Sequence, residues 1–307
     1  MIFDLDIQEN SSSGKKNNPD SKEKYTLQKK LNFRKTGTKK YRFTLEGEAM
    51  LHSMRSQTKV EYSWMLNIQQ INDDFYILNI ITYDNELKYS NEQGLRELFY
   101  VTNMFQKIYD DIKVKVDLNG KVLQVLNSDT LVDRWKRFKH ESIEYFGTKT
   151  NLEEYFAVSD DQFSDPNFLK MLVSKSEFFF IYLQAGGYNR KFNSFSNYEL
   201  IRSNAFEKGD IKWLISYLGK DQIADKSHLG EMKLEGGFIP NKKWLKDSYG
   251  ELNFLDIDKL VPQFSMKGNY VFYNSNGWLK ESVLEVNEIV DPKQLFHKLK
   301  YSIKEID

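Results

Sequence analysis

The sequence predicts an α+β protein: two antiparallel sheets, each backed by helices, joined by a helical middle segment. Three observations carry that expectation. Apolar and polar residues alternate near both ends of the chain, Asn-Gly pairs stand at 119–120 and 276–277 between such runs, and capped stretches of helical spacing lie between them. Alternation marks half-buried strands, Asn-Gly marks a tight hairpin, and helical spacing marks an amphipathic helix.

Residues 1–24 are polar and read as a flexible lead-in. An N-terminal α+β domain is expected over 25–146. Tyr41, Phe43, Leu45 and Ala49 alternate with Arg42, Thr44, Glu46 and Glu48, and two further strands at 60–71 and 75–83 flank a turn at Asn72-Asp73-Asp74. A helix follows at 94–112, then a hairpin around Asn119-Gly120 with a type I′ turn, then a helix with the stripe Leu131, Trp135, Phe138, Ser142 and Tyr145. The middle segment, 147–219, reads as helical: Asp165-Pro166 opens one helix that Gly186-Gly187 stops, and Ser196 to Glu199 opens another. The C-terminal half, 220–307, reads as β-rich, with strands at 231–238, 251–257, 261–266, 269–273 and 279–290, and a last helix after Asp291-Pro292 burying Leu295, Leu299 and Ile303. Strand, Asn-Gly, strand and capped helix occur at 113–145 and again at 269–303, which an internal duplication would explain.

Composition narrows the chemistry. The 44 basic and 44 acidic residues cancel, so no global field attracts nucleic acid or an anionic membrane. With no cysteine, disulfides, thiolate catalysis and cysteine metal sites are excluded. The acidic N-terminus lacks the apolar run of a signal peptide, and no stretch approaches the roughly 20 apolar residues that span a bilayer, so a cytoplasmic location is expected. The lean to Asn, Lys, Ile, Tyr and Phe suits an AT-rich bacterial genome.

No catalytic motif is legible. His52, His140, His228 and His297 lack metal-binding spacing, and His297 reads as a surface residue of a lysine-rich helix. The Gly pairs lack the continuation of a phosphate loop, and no nucleophile elbow is present. Asp110-Asp111 stands out among the paired carboxylates, because a helix C-terminus disfavours negative charge. No cofactor and no metal are therefore expected, and the chain leans away from an enzyme.

Two charged stretches remain. Residues 25–42 hold seven positive charges and no negative one, and residues 151–165 hold five negative and no positive one. The basic arm has three readings: it lies against the acidic stretch, stays solvated, or meets a partner. The residues expected to bind a partner are Lys29, Lys30, Arg34, Lys35, Lys39 and Lys40, with Trp278, expected to be exposed after its turn. The preferred function is a protein-binding or assembly role as adaptor, immunity protein or structural component of a larger complex. One alternative is a carrier of a small apolar ligand, in a cavity lined by Phe43, Leu45, Ile80, Phe99 and Phe105. The other is a hydrolase using dispersed carboxylates.

Overall fold

The alternation that begins near residue 37 continues through long strands, and every strand joins its neighbours in one sheet. In the computed structural model, which describes residues 30–146, 152–190, 198–220 and 229–307, β1 (Gly37–Leu51), β2 (Met54–Ile71), β3 (Phe75–Ser90), β4 (Asp111–Asp117) and β5 (Val122–Val125) form an antiparallel meander. A second meander comprises β6 (Tyr198–Ser203), β7 (Asp210–Lys220), β8 (Leu229–Phe238), β9 (Gln263–Tyr273), β10 (Leu279–Asp291) and β11 (Leu295–Ile306). β1 pairs with β11 from Lys40↔Ile306 to Leu51↔Leu295 and joins the two into an 11-stranded sheet of order β5-β4-β3-β2-β1-β11-β10-β9-β8-β7-β6. The expected pair of sheets is thus replaced by a single one. The fold remains α+β in the broad sense.

Four local expectations fail. The last helix is instead β11, because Leu295, Leu299 and Ile303 lie an even number of positions apart and so also share one face of a strand. That removes the support for a duplication. The stretch after Ser196 forms β6, and the stretch before the 3₁₀ turn Ile257–Lys259 is not a strand. Both Asn-Gly pairs do close hairpins, but only Gly120 (φ +83°) and Gly277 (φ +76°) enter the left-handed region. Each is the single left-handed residue of a longer turn, which sets aside a type I′ turn at either pair.

Helices α1 (Gln93–Gln106), α2 (Ser128–Phe146), α3 (Leu152–Ser164) and α4 (Pro166–Ser174) lie in the connections on either side of β4 and β5, and α5 (Lys242–Tyr249) follows β8. Asp165 caps α4 by accepting from the Asn167 amide at 2.9 Å, as the Asp-Pro pair implies. α2 and α3 share a satellite core in which the Trp135 and Phe163 rings stack 4.5 Å apart. The main core is the inner face of the sheet, and the chain's own middle fills it. Residues Phe178 to Leu183 are all buried, mostly within a π-helical segment (Phe179–Gln184).

Tyrosine hydroxyls tie that segment to the sheet. Tyr270 donates to the Ile181 carbonyl at 3.2 Å, Tyr217 to the Gln184 carbonyl at 3.0 Å, and Tyr41 to the Leu279 carbonyl at 3.0 Å. With the Tyr41 proton so committed, the 2.9 Å contact between the Tyr41 and Tyr182 oxygens has Tyr182 as donor.

Candidate functional site

The sheet curls far enough that its edge meets its middle. β6 is separated from β10 by three strands, yet the Ala205 amide, just past the end of β6, donates to Glu288 Oε2 at 2.9 Å. Where the edge arrives, the packing leaves a cavity of about 510 Å³, within the usual range of ligand sites. Phe180 of the π-helical segment, Val286 of β10 and Leu299 of β11 give it apolar walls, with Met171 and Ile201 beside them. Its polar lining includes Arg202 of β6, Glu288 of β10 and His297 of β11, with Lys175, Asn204, Glu207 and Asp210 also on the wall.

Strand parity places each of these groups. On β10 the buried positions are Leu279, Ser282, Leu284, Val286, Glu288 and Val290, so Glu288 (7% exposed) is the one charged residue at a core position of the strand. His297 shares the inward side of β11 with Leu295, Leu299, Tyr301 and Ile303, and stands opposite Glu288 in the β10–β11 register. Arg202 follows Tyr198 and Leu200 on one side of β6, and its guanidinium lies 4.1 Å from the Phe180 ring centre, a cation–π distance.

The electrostatics follow from burial. Burial pushes the Glu288 carboxyl up from 4.5 to about 7, partly offset by the Ala205 amide and Arg202. Burial, then Arg202, pushes His297 down from 6.5 to about 4, so its imidazole is neutral. Burial also raises Glu177, just before the π-helical segment, against the pull of Arg202. Arg202 Nη1, Glu177 Oε2 and Tyr301 Oη are each buried without a hydrogen-bond partner. Buried polar groups left unmatched are costly, each at about 1–3 kcal/mol and more when charged. The Ser174 hydroxyl on the cavity wall donates to the Lys170 carbonyl at 2.6 Å.

Among the residues singled out from sequence, Lys29 and His228 lie outside the described residues. Lys30 donates to Asn189 Oδ1 at 3.1 Å, Arg34 to the Asn274 carbonyl at 3.0 Å, and Lys39 pairs with Glu305 while lying 4.2 Å over the Tyr273 ring. Lys35 and Lys40 are exposed. The described part of the basic arm thus runs along the 270s turn and the end of β11. The acidic stretch is engaged elsewhere, with Asp160 taking Lys139 of α2 at 2.6 Å and the Trp135 indole at 2.7 Å.

Trp278 is buried, not exposed: Phe33 packs 5.7 Å from it and its indole donates to the Lys35 carbonyl at 3.1 Å, so the N-terminal strap covers it. His297 likewise leaves the surface because its element is a strand. His52 sits in the β1–β2 turn and His140 is exposed on α2. Asp110 is raised by burial, partly offset by Arg134 and then Lys107, and lines a separate cleft of about 360 Å³ between α1 and α2. Phe43 and Ile80 belong to the main core and Phe105 packs on the satellite core, so the cavity lies apart from the apolar lining named from sequence. Among the described residues, no group of three or more His, Asp or Glu stands close enough to hold a metal ion, and no helix is long and apolar enough to cross a membrane.

Fold and site together define a curled antiparallel sheet that encloses an amphipathic cavity beside its own buried segment. No protein-family model and no curated protein matches the chain. Among solved structures, one concerning lipid–protein interactions in lipovitellin is similar over 90% of this chain and 25% of that one, with 8% identity and a TM-score of 0.40. The chain therefore spans about a quarter of that neighbour's length. An acyl-CoA thioesterase II, TesB2, from Mycobacterium marinum covers 88% of this chain and 81% of its own, with 7% identity and a TM-score of 0.11. Neither likeness is close enough to carry an argument about this chain.

Proposed function

We propose that the chain is a non-catalytic binding protein that holds a small amphipathic molecule in the cavity between β6, β10, β11 and the π-helical segment. The observation that carries this reading is the composition of that cavity. Apolar walls of Phe180, Val286 and Leu299 surround a polar wall on which Arg202 Nη1 and Asn204 Nδ2 are buried without a hydrogen-bond partner. An apolar core would have been cheaper there, and a polar network would have been satisfied.

The test is saturable binding of a fluorescent amphiphile, followed by its emission and by thermal melting. One molecule per chain is expected, with stabilisation of about 2.7 kcal/mol when free ligand is a hundredfold above Kd. Met171→Trp, at a half-open position on the cavity wall, should block entry without disturbing the core. Binding that is absent, or unaffected by that substitution, would defeat the proposal.

A second reading, a cytoplasmic protein that docks on another protein, draws support from α1. None of its residues is fully buried, and Leu98 and Tyr100 are 58% and 67% exposed. This reading expects Leu98→Glu to dissolve a complex isolated from the native host while leaving melting unchanged.

A further inference from the structure

We infer that the molecule held in this cavity carries a single negative charge, a carboxylate on an aliphatic chain, and that Arg202 receives it. The inference rests on the cavity being a binding site, and it adds the class of ligand. Arg202 is the starting point. Its guanidinium is fixed by its stacking on Phe180, it makes no ion pair with any described residue, and its Nη1 is buried without an acceptor. A guanidinium presents paired donors in a rigid fork, and its natural complement is a planar oxyanion.

The surroundings limit how much charge that oxyanion carries. Glu288 and Glu177 both interact electrostatically with the arginine, and Glu288 Oε2 already accepts from the Ala205 amide. Glu207 and Asp210 line the cavity as well, with Lys175 as its other cation, so a second negative charge on the ligand would meet a majority of carboxyls, whereas a single charge is received by Arg202. A cationic ligand would have the guanidinium itself against it. Beyond the head, Val286 and Leu299 extend an apolar wall from neighbouring strands, which suits an alkyl chain.

Calorimetry on the full chain with decanoate, decanol and decylamine separates this inference from the reading beneath it. Decanoate is expected to bind roughly tenfold or more tighter than decanol, the contribution of one buried charge-assisted hydrogen-bond pair. Arg202→Met should erase that preference while keeping decanol affinity, which also shows that the variant is folded. Equal affinities for decanoate and decanol in the wild type, a preference for decylamine, or full decanoate affinity in the variant would each overturn the anionic head while leaving the cavity as a binding site. If none of the three binds, the cavity reading falls and this inference falls with it.

Discussion

Replacing Glu288 and His297 one at a time should unmask two opposed pH dependences that cancel in the wild-type chain. Burial moves Glu288 from 4.5 to about 7, so between those values the native state holds a proton that the unfolded chain has released. Its stabilising contribution is full below 4.5 and is lost as pH rises through 7. At about 1.4 kcal/mol for each tenfold change in proton affinity, the loss is about 3 kcal/mol. His297 moves from 6.5 to about 4, so there the unfolded chain holds the extra proton, and stability grows by about 3 kcal/mol as pH rises from 4 to 6.5. Where the two windows overlap, from 4.5 to 6.5, one proton bound on folding offsets one released.

Glu177, also raised by burial, adds to the fall at higher pH, so the informative quantity is the difference between wild type and each variant. Urea unfolding followed by tryptophan emission at fixed ionic strength supplies it. Wild type minus Glu288→Gln should fall by about 3 kcal/mol from pH 4.5 to 7, and wild type minus His297→Gln should rise by a similar amount from pH 4 to 6.5. The reasoning fails if Glu288 and His297 form a charged pair across β10 and β11. Both variants would then lose most stability near pH 5 to 6, and the two differences would share one shape instead of running in opposite directions.

Two further substitutions probe the N-terminal strap. Phe33→Ala should cost about 3–5 kcal/mol in the same unfolding assay, because the ring is 2% exposed and packs on Tyr76, Tyr188 and Trp278. Gly277→Ala should loosen the strap, since a Cβ there would stand 2.0 Å from the Asn32 carbonyl oxygen at a backbone φ of +76°. Faster tryptic cleavage after Arg34 is the expected readout, and an unchanged rate would show that the strap is not held there.

The half of the fold that was legible came from features with one reading. The meander at 41–83 and the two Asn-Gly hairpins each rest on a pattern that only one local structure satisfies. What misled was spacing that two structures satisfy. Leu295, Leu299 and Ile303 fit a helix stripe and a strand face equally, and Asp291-Pro292 resembled a helix start where the chain makes a turn into β11. The discriminating signal was Tyr301, which falls on the strand face with the other three. Glu288 was also legible in retrospect, as the one charged residue in the alternating row Leu284, Val286, Glu288 and Val290. Arg202 was not, because its approach to β10 depends on the curl of the whole sheet, which no local pattern encodes.

That curl has a topological cause that also explains where the cavity lies. The two ends of the described chain pair side by side as β1 and β11, so the sheet grows outward from its centre in both directions. Its edges, β5 and β6, are therefore consecutive strands in sequence, and the stretch between them must travel from one edge to the other. At about 4.8 Å per strand, a flat sheet of this size would place those edges roughly 50 Å apart. Curling brings them nearer and turns one face inward, and the connecting stretch supplies the apolar residues, Phe178 to Leu183, that this inward face requires. The filling is not complete. The space between the segment and the incoming edge is lined by Arg202, Glu288 and His297 beside the apolar Phe180, Val286 and Leu299. The charged cavity thus lies at the seam where an edge strand folds back over the centre of its own sheet. A ligand seated there would touch β6 and the π-helical segment on one side and the β10–β11 pair on the other, two parts of the chain distant in sequence that the curl of the sheet brings together.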